Sequence, residues 1–270
     1  MVLTETAFAK INLALHVRSR RADGYHELET LFAFVDCGDV LTARSAAQDS
    51  LTTIGEFATA LDNPFDNIVM KALGALPRPD GLDITLEKNL PVAAGLGGGS
   101  ADAGAIFRII EQAYGLPEDW QERAARLGAD VPACVRSTMH VGRGTGTEAE
   151  HVVNDMAGMA VLLVNPRIPL STGPVFKAWD GKDRGALPEG SARDIALAGR
   201  NDLRAPAISQ CPAIADVLAR LDATDPWMVE MSGSGATCFA LYESTAERDH
   251  AAARIAELEP DWWQMVGALR

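Results

Sequence analysis

Alternating apolar and polar positions predict the strands of this chain. Residues 10–17 alternate strictly, with an apolar face and a second face that carries Lys10 and Asn12, which is the period of a half-buried strand. The same alternation predicts a strand over 82–86. Alternation or short apolar runs predict further strands over 27–35, 40–44, 139–142, 159–164, 227–231, 237–242 and 262–269.

Helical spacing of apolar positions predicts helices over 66–76, 100–114, 118–127, 212–221 and 245–258. Ser100 is the expected N-cap of the second helix, and Asp66 or Asn67 lies near the start of the first. Residues 144–155 are typical of a linker, and 180–200 predict a loop with at most a short helix. Two successive helices framed by strands indicate an α+β fold. We expect two domains, at residues 1–153 and 154–270.

A glycine-rich segment lies between the strand at 82–86 and the helix predicted from Ser100. Four of the five residues 95–99 are glycine. Such a loop exposes backbone amides and leads into a helix N-terminus, which together favour a bound phosphate. No Gly-Lys-Ser/Thr sequence follows, which excludes a Walker A loop, and Ser100 replaces the last glycine of a dinucleotide fingerprint. The alternative is a flexible linker or a tight turn.

Composition and charge narrow the class of protein. The chain has 270 residues and a net charge of -13, so a general nucleic-acid partner is not expected. An acidic chain that binds phosphates has to do so locally, with amides, a few cations and a metal ion. The four cysteines are far apart and the histidines form no zinc motif. No apolar run reaches membrane-spanning length, so we expect a cytoplasmic protein without a membrane partner.

Four other features are open to two interpretations each. Lys10 is either an edge residue whose stem covers apolar surface or a functional cation. Asp130 is either a turn or cap residue or a functional acid. The small-residue loop 232–236 is a hairpin connection or a close approach to a ligand. Tyr25 and His26 are turn packing or a stacking pair for a flat heterocycle.

Together these features resemble the GHMP kinase superfamily, which includes galactokinase, homoserine kinase, mevalonate kinase and phosphomevalonate kinase. The segments 91–102 and 232–236 resemble its phosphate loop and its C-terminal glycine loop. The segments 9–13, 21–28 and 128–132 resemble the branch that phosphorylates a cytidine-diphosphate-linked sugar alcohol in the non-mevalonate route to isoprenoid precursors. The resemblance runs from about residue 7 to residue 242.

The resemblance implies a two-lobed α+β fold, with the active site in the cleft between the lobes, and an ATP-dependent kinase that uses Mg²⁺. Asp130 would be the catalytic base, and Lys10 would keep it ionised and favour the attacking hydroxyl. Ser100 is a possible metal ligand, the metal site being otherwise unknown. The implied ATP-binding residues are Pro91, Val92, Ala93, Ala94, Gly95, Leu96, Gly97, Gly98, Gly99, Ser100, Ala101, Lys88 and Asn67.

For the acceptor, the resemblance implies that Tyr25 and Phe176 sandwich the cytosine and that His26 binds its polar edge. Asn12 and Thr172 would help to place the substrate. The glycine loop of the C-terminal half comprises Gly233, Ser234 and Gly235. A small-molecule partner is expected, and the chain would be a monomer or a homodimer.

The chain departs from the family pattern at two positions. Ala101 stands where many members have a second serine, which removes a hydroxyl that could contact phosphate or metal. Gly104 lies inside the predicted helix, where it costs up to about 1 kcal/mol relative to alanine but permits a close contact. Asp102 either interacts with the helix dipole or serves as an outer-shell partner of Mg²⁺.

Two alternatives to this function are kept. One is another GHMP kinase of the homoserine or mevalonate type, whose substrates carry no base to stack on Tyr25 and His26. The other is a non-catalytic nucleotide-binding regulator, which would have no need of both Lys10 and Asp130.

Overall fold

The computed structural model describes residues 2–61 and 67–270 and forms two compact units. The first unit comprises Met1–Lys10, Cys37–Val92 and Gly97–Ser137, and the second comprises Ile11–Asp36, Ala93–Leu96 and Thr138–Arg270. Two long strands, β1 (Val2–Arg20) and β2 (His26–Ala46), pair with each other. One end of each strand belongs to the first unit and the other end to the second. The units interleave along the chain, and the single domain boundary after residue 153 stays a prediction.

In its described residues, the first unit combines a small sheet with four α-helices. Strand β4 (Gly81–Glu87) pairs antiparallel with the end of β2 and parallel with β3 (Ser50–Ile54). Every second residue of β4 is fully buried, as expected of a strand with one face on the core. A 3₁₀ turn covers Ala58–Leu61, and the helices are α1 (Ile68–Ala75), α2 (Gly98–Tyr114), α3 (Trp120–Leu127) and α4 (Val131–Arg136).

The second unit is built on an antiparallel sheet of four strands in the order β10-β7-β9-β8. Its strands are β7 (Ala160–Asn165), β8 (Met228–Met231), β9 (Cys238–Tyr242) and β10 (Trp263–Ala268). Strands β5 (His140–Gly144) and β6 (Glu148–Glu150) pair with each other, and β5 also pairs with the start of β2. The helices are α5 (Thr172–Lys177), α6 (Ala192–Ala198), α7 (Arg204–Gln210), α8 (Ala213–Asp222) and α9 (Thr245–Leu258).

Helix α9 begins and ends at its predicted residues, because a capping box between Ser244 and Glu247 fixes its start. The prediction of two strands over 27–44 is wrong, since β2 is continuous. Within β2, a Cβ atom on Gly38 would lie 1.9 Å from the carbonyl oxygen of Ala7. The glycine therefore permits a close backbone approach within the sheet.

Helices α4, α5 and α7 are absent from the sequence prediction. Each is six or seven residues long and carries a proline in its first turn: Pro132, Pro174 and Pro206. A proline there removes no intrahelical hydrogen bond, so it indicates a helix start as readily as a loop. Asp66, expected near the start of α1, lies outside the described residues.

The described part of the chain contains no helix with the length and apolar character needed to cross a membrane. None of the four cysteines forms a disulfide in the described residues, and Cys37 alone among them is partly exposed.

Candidate active site

The glycine-rich segment ends in the first turn of α2. Gly95 and Gly97 adopt positive φ angles of 80° and 63°, which favour glycine. Helix α2 starts at Gly98, with Gly97 as a left-handed N-cap that has no side-chain hydrogen bond. The prediction of Ser100 as N-cap is therefore wrong, because the glycine backbone makes the turn without a capping hydroxyl. Ser100 is the third helical residue, and the first amides of α2 have no intrahelical acceptor.

Lys10 and Asp130 form an ion pair beside this turn. Lys10 Nζ lies 3.1 Å from Asp130 Oδ2, and the two side chains are 7% and 32% exposed. The stem of Lys10 lies along the loop, since a Cβ atom on Gly97 would be 3.0 Å from Lys10 Cε. The convergence of the amine, the carboxylate and the glycine loop, predicted from the sequence, is confirmed within the first unit.

Asp130 owes its position to the packing of α4 on α2. It is the N-cap of α4, yet its side chain makes no capping hydrogen bond and is available to Lys10. A Cβ atom on Gly104 would lie 2.6 Å from the backbone carbonyl of Cys134, so only glycine permits this approach. Arg108 of α2 donates to the same carbonyl at 2.7 Å. The close contact expected at Gly104 is confirmed.

A second lysine of the first unit, Lys88, lies in a fully buried ionic cluster. Its ammonium bonds the carboxylates of Asp39 and Asp102, the second at 2.8 Å, and all three side chains are at most 3% exposed. Burial raises the pKa of Asp102 to about 8; the Lys88 ammonium opposes this rise and the Asp39 carboxylate adds to it. Neither role that the sequence left open for Asp102 includes this contact with Lys88, which buries the carboxylate.

The other residues predicted at the ATP site lie as follows. Asn67 is the N-cap of α1, where its side chain accepts a hydrogen bond from the Val69 amide at 2.9 Å. Ala101 is buried in α2. In the loop, Val92, Ala93 and Gly99 are exposed, Gly95, Gly97, Gly98 and Ser100 are partly exposed, and Pro91, Ala94 and Leu96 are buried. The contacts of Lys88, Asn67 and the loop with ATP stay predictions.

In the second unit, the loop after β8 holds the start of the glycine-rich segment. Ser232 Oγ donates to the Gly95 carbonyl at 2.8 Å and accepts from the Asn12 amide at 3.3 Å. A side chain on Gly95 would collide with this loop, because its Cβ would lie 2.3 Å from the Ser232 carbonyl oxygen. The loop connects the antiparallel strands β8 and β9 as a hairpin and packs on the glycine-rich segment, and its approach to a ligand stays a prediction. Thr172 and Ser234 also meet, with their hydroxyls 3.0 Å apart.

Asn201 supports the same loop and was missed in the sequence. Its amide nitrogen donates to the carbonyls of Met231 and Gly233, both at 2.8 Å. Its partners are backbone atoms 30 and 32 positions away, so no local pattern signals the contact. Asp39 escaped notice for the same reason, since its partners are Lys88 and distant backbone amides.

Of the residues predicted to bind cytosine, His26 and Phe176 lie together, whereas Tyr25 is exposed. The rings of His26 and Phe176 lie 5.0 Å apart, and Trp179 meets His26 edge-on at 5.8 Å. Burial, with Arg20 nearby, lowers the pKa of His26 and favours the neutral imidazole. Its buried Nε2 has no hydrogen-bond partner among the described residues. Tyr25 is 66% exposed, so a sandwich of cytosine with Phe176 stays a prediction.

Comparisons with known proteins agree with this geometry. The family models for the GHMP kinase N-terminal and C-terminal domains match residues 67–138 and 184–261. A protein of Erythrobacter litoralis named 4-diphosphocytidyl-2-C-methyl-D-erythritol kinase is 71% identical, with both chains fully covered. The chain belongs to the GHMP kinase family. A protein of the same name from Novosphingobium aromaticivorans is 67% identical over the whole of this chain and 94% of its own.

A solved structure supports the same placement within the GHMP kinases. The crystal structure of 4-(cytidine 5'-diphospho)-2C-methyl-D-erythritol kinase superposes with a TM-score of 0.84 and 32% identity. The match covers 99% of both chains. The two-domain α+β architecture of a GHMP kinase is thereby confirmed, and the chain is an ATP-dependent small-molecule kinase, as its sequence predicts.

Proposed function

We propose that this GHMP kinase transfers the γ-phosphoryl group of ATP to the 2-hydroxyl of 4-diphosphocytidyl-2-C-methyl-D-erythritol, as a step toward isoprenoid precursors. The observation that carries the proposal is the pairing of Lys10 with Asp130 beside the first turn of α2. The names of relatives that are 71% and 67% identical support the choice of acceptor.

The chemistry follows from the positions of these groups. Asp130, the more exposed partner, accepts the proton of the substrate hydroxyl as its oxygen attacks the γ-phosphorus and the bond to the β,γ-bridging oxygen breaks. ADP and a phosphomonoester are the products. The Lys10 ammonium stabilises negative charge at the reacting oxygen, and the first amides of α2 bind phosphate oxygens. Catalysis of this kind depends mainly on positioning and charge.

We propose that Mg²⁺ accompanies ATP and neutralises charge on its phosphates. Magnesium in such sites needs only one or two protein oxygens, with phosphates and water as its other ligands. The partly exposed hydroxyl of Ser100, in the first turn of α2, fits this role. Asp102 does not, because it is buried and bound to Lys88.

The cytidine end of the acceptor is assigned to the second unit. We place the base against Phe176 and Tyr25, with the His26 imidazole at its polar edge. The buried, unpartnered Nε2 of His26 supports this assignment, since a buried polar atom without a partner is unfavourable and a base could supply one. The substrates of the homoserine and mevalonate types have no base to fill that role. Asn12 and Thr172 are proposed to help place the substrate.

A phosphorus NMR assay tests the proposal. The purified protein, with ATP and Mg²⁺, is offered the cytidyl alcohol, homoserine or mevalonate in separate samples. We expect ADP and a new phosphomonoester with the cytidyl alcohol alone, and inhibition by CDP. The Asp130→Asn variant, purified in parallel, controls for contaminating kinases. Turnover of homoserine or mevalonate in preference to the cytidyl alcohol would contradict the assigned acceptor, and ATP binding without turnover would favour a regulator.

A further inference from the structure

Lys88 is fixed by both its backbone and its side chain. It follows β4 directly, and its amide donates to the Ile54 carbonyl at 2.7 Å while its carbonyl accepts from the Phe57 amide at 3.2 Å. Its side chain is 2% exposed, and its ammonium donates hydrogen bonds to the carboxylates of Asp39 and Asp102. A lysine held in this way has little freedom to reach a ligand, and it is well placed to hold other groups.

The two carboxylates act on opposite ends of the phosphate loop: Asp39, in β2, binds the residues before it, and Asp102 lies in the helix after it. One oxygen of Asp39 accepts from the amides of Asn89 and Leu90, at 2.6 and 2.8 Å, directly before the loop begins at Pro91. Asp102 lies in α2, the helix that follows the loop. A single ammonium therefore joins the residues that lead into the loop to the helix that leaves it.

The first turn of α2 lies against the same ammonium. A Cβ atom on Gly98 would be 3.1 Å from Lys88 Nζ, tighter than ordinary van der Waals contact. Since α2 begins at Gly98, the ammonium lies next to the helix end whose amides are assigned to phosphate. A displacement of Lys88 or Asp102 would move those amides.

Stability alone gives a weak reason for such a cluster. Removing charges from water is costly, and well-packed apolar residues often replace a buried ion pair without loss of stability. One ammonium between two carboxylates also leaves an excess of acid groups. What the cluster provides is a fixed geometry, which matters where amides have to be preorganised around a ligand.

We propose that Lys88 is a positioning residue for ATP: through Asp39 and Asp102 it fixes both ends of the phosphate loop and so holds the loop amides in their binding geometry. The inference rests on the proposed function only in that ATP binds at this loop, and it is independent of the acceptor. The contribution assigned to Lys88 is made through the loop, without contact between its ammonium and the nucleotide.

The Asp102→Ala variant tests this inference. It removes the hydrogen bond between Lys88 and α2 but leaves Lys88 and Asp39 as an ion pair of balanced charge, so the protein is expected to fold. We expect the KM and the dissociation constant for ATP to rise about tenfold, which corresponds to the loss of about 1.4 kcal/mol of binding. The kcat at saturating ATP and the KM for the alcohol should change little, because the loop contributes to ground and transition states alike.

Two further variants separate positioning from general stability. Asp102→Asn retains an acceptor for the Lys88 ammonium and should restore the ATP affinity. Asp49→Ala is the matched control: Asp49 bonds Arg78 and accepts from the Leu82 amide at 2.9 Å, at the opposite end of β4. It should lower the free energy of unfolding without changing the KM for ATP.

The outcomes distinguish this inference from the proposed acceptor. An ATP affinity of Asp102→Ala equal to that of the wild type, or a loss shared equally by Asp49→Ala, would overturn the positioning role. So would failure of both Asp102→Ala and Asp102→Ser to fold, since the remaining ion pair is expected to suffice for folding. Weakened binding of a fluorescent ATP analogue by Asp102→Ala, in a protein that does not turn over the cytidyl alcohol, would support the inference while rejecting the acceptor.

Discussion

Two lysines lie against the start of α2, and their surroundings differ sharply. Lys88 lies against Gly98, the first helical residue, and both of its carboxylate partners are at most 3% exposed. Lys10 lies along Gly97, the N-cap, and its partner Asp130 is 32% exposed. Both lysines are buried, so the difference lies in the carboxylates.

This difference distinguishes the buried cluster around Lys88, which is proposed to hold the loop, from Lys10 and Asp130, which are proposed to react. A carboxylate closed off from solvent, such as Asp39 or Asp102, cannot receive a proton from a substrate hydroxyl. Asp130 can receive one, because about a third of its side chain is exposed to solvent and its carboxylate makes no capping hydrogen bond to α4. Exposure of the acid therefore favours the proposed proton transfer at Asp130 and the proposed positioning role of Lys88.

The largest effect is expected from Asp130→Ala. We expect kcat to fall by about 10²- to 10⁴-fold, the range for loss of a general base, with the dissociation constant of ATP nearly unchanged. The measurement is steady-state turnover of the cytidyl alcohol, together with calorimetric titration of ATP.

Asp119 provides a matched control for that variant. It is also an N-cap without a side-chain capping bond, at α3, and it also pairs with a cation, Arg123, at 2.7 Å. Asp119→Ala should leave kcat as in the wild type. Turnover retained by Asp130→Ala would remove Asp130 from the mechanism.

The next largest effect is expected from Lys10→Met. Methionine keeps an apolar stem against Gly97 and removes the charge, so the KM for ATP should change little. We expect kcat to fall by about 10²- to 10³-fold, as for other preorganised groups that stabilise transition-state charge. Because the two residues act as a unit, the double variant with Asp130→Ala should be no slower than Asp130→Ala alone. An unchanged kcat in Lys10→Met would mean that Lys10 has a structural role and takes no part in catalysis.

The sequence pointed to Lys10 and Asp130, the pair proposed to react, more readily than to the buried residues around Lys88. Lys10 and Asp130 belong to local motifs with recognisable neighbours, and the glycine run marks the loop between strand and helix. Asp39 and Asn201 carry no such signal, because their partners are separated from them along the chain by about 50 and 30 residues. The contact of Asp102 with Lys88 was not predicted either, because helical position alone does not show which side chain is buried.

Fold prediction succeeded where a local signal dominated. The capping box of α9 and the alternation in β4 fixed those elements. The continuity of β2 at Gly38 and the three short helices with first-turn prolines were not predicted, because glycine and proline each serve two structural purposes. Tertiary contacts decided which purpose applied, and these are not visible along the sequence.

A smaller effect is expected from Gly104→Ala, which tests how α4 carries Asp130. The new Cβ would collide with the backbone of Cys134, and overpacking of this kind costs about 1–3 kcal/mol in the free energy of unfolding. Gly74→Ala in α1 is the control: its Cβ would meet nothing within 4 Å, so it should stabilise the protein by up to about 1 kcal/mol. Urea unfolding measures both. Equal changes in the two variants would contradict the close packing of α2 and α4.

The smallest effect on turnover, and the sharpest test of the buried cluster, is expected from Asp102→Asn. Asparagine keeps an acceptor for Lys88, so kcat at neutral pH should stay close to that of the wild type. Its stability should nevertheless depend differently on pH. Burial raises the pKa of Asp102 to about 8 in the folded chain, against the usual 3.8, so between these values the folded state holds a proton that the unfolded state has lost.

The wild-type free energy of unfolding therefore receives a contribution that is complete below pH 4 and is lost as the pH rises through about 8. Asp102→Asn has no such group. Hence the stability of the variant relative to the wild type should rise across this interval and level off above it. Urea unfolding of both proteins at several pH values gives the difference, in which the titrations common to both largely cancel. A difference that does not vary with pH would mean that Asp102 is ionised throughout, with Lys88 sufficient for two carboxylates.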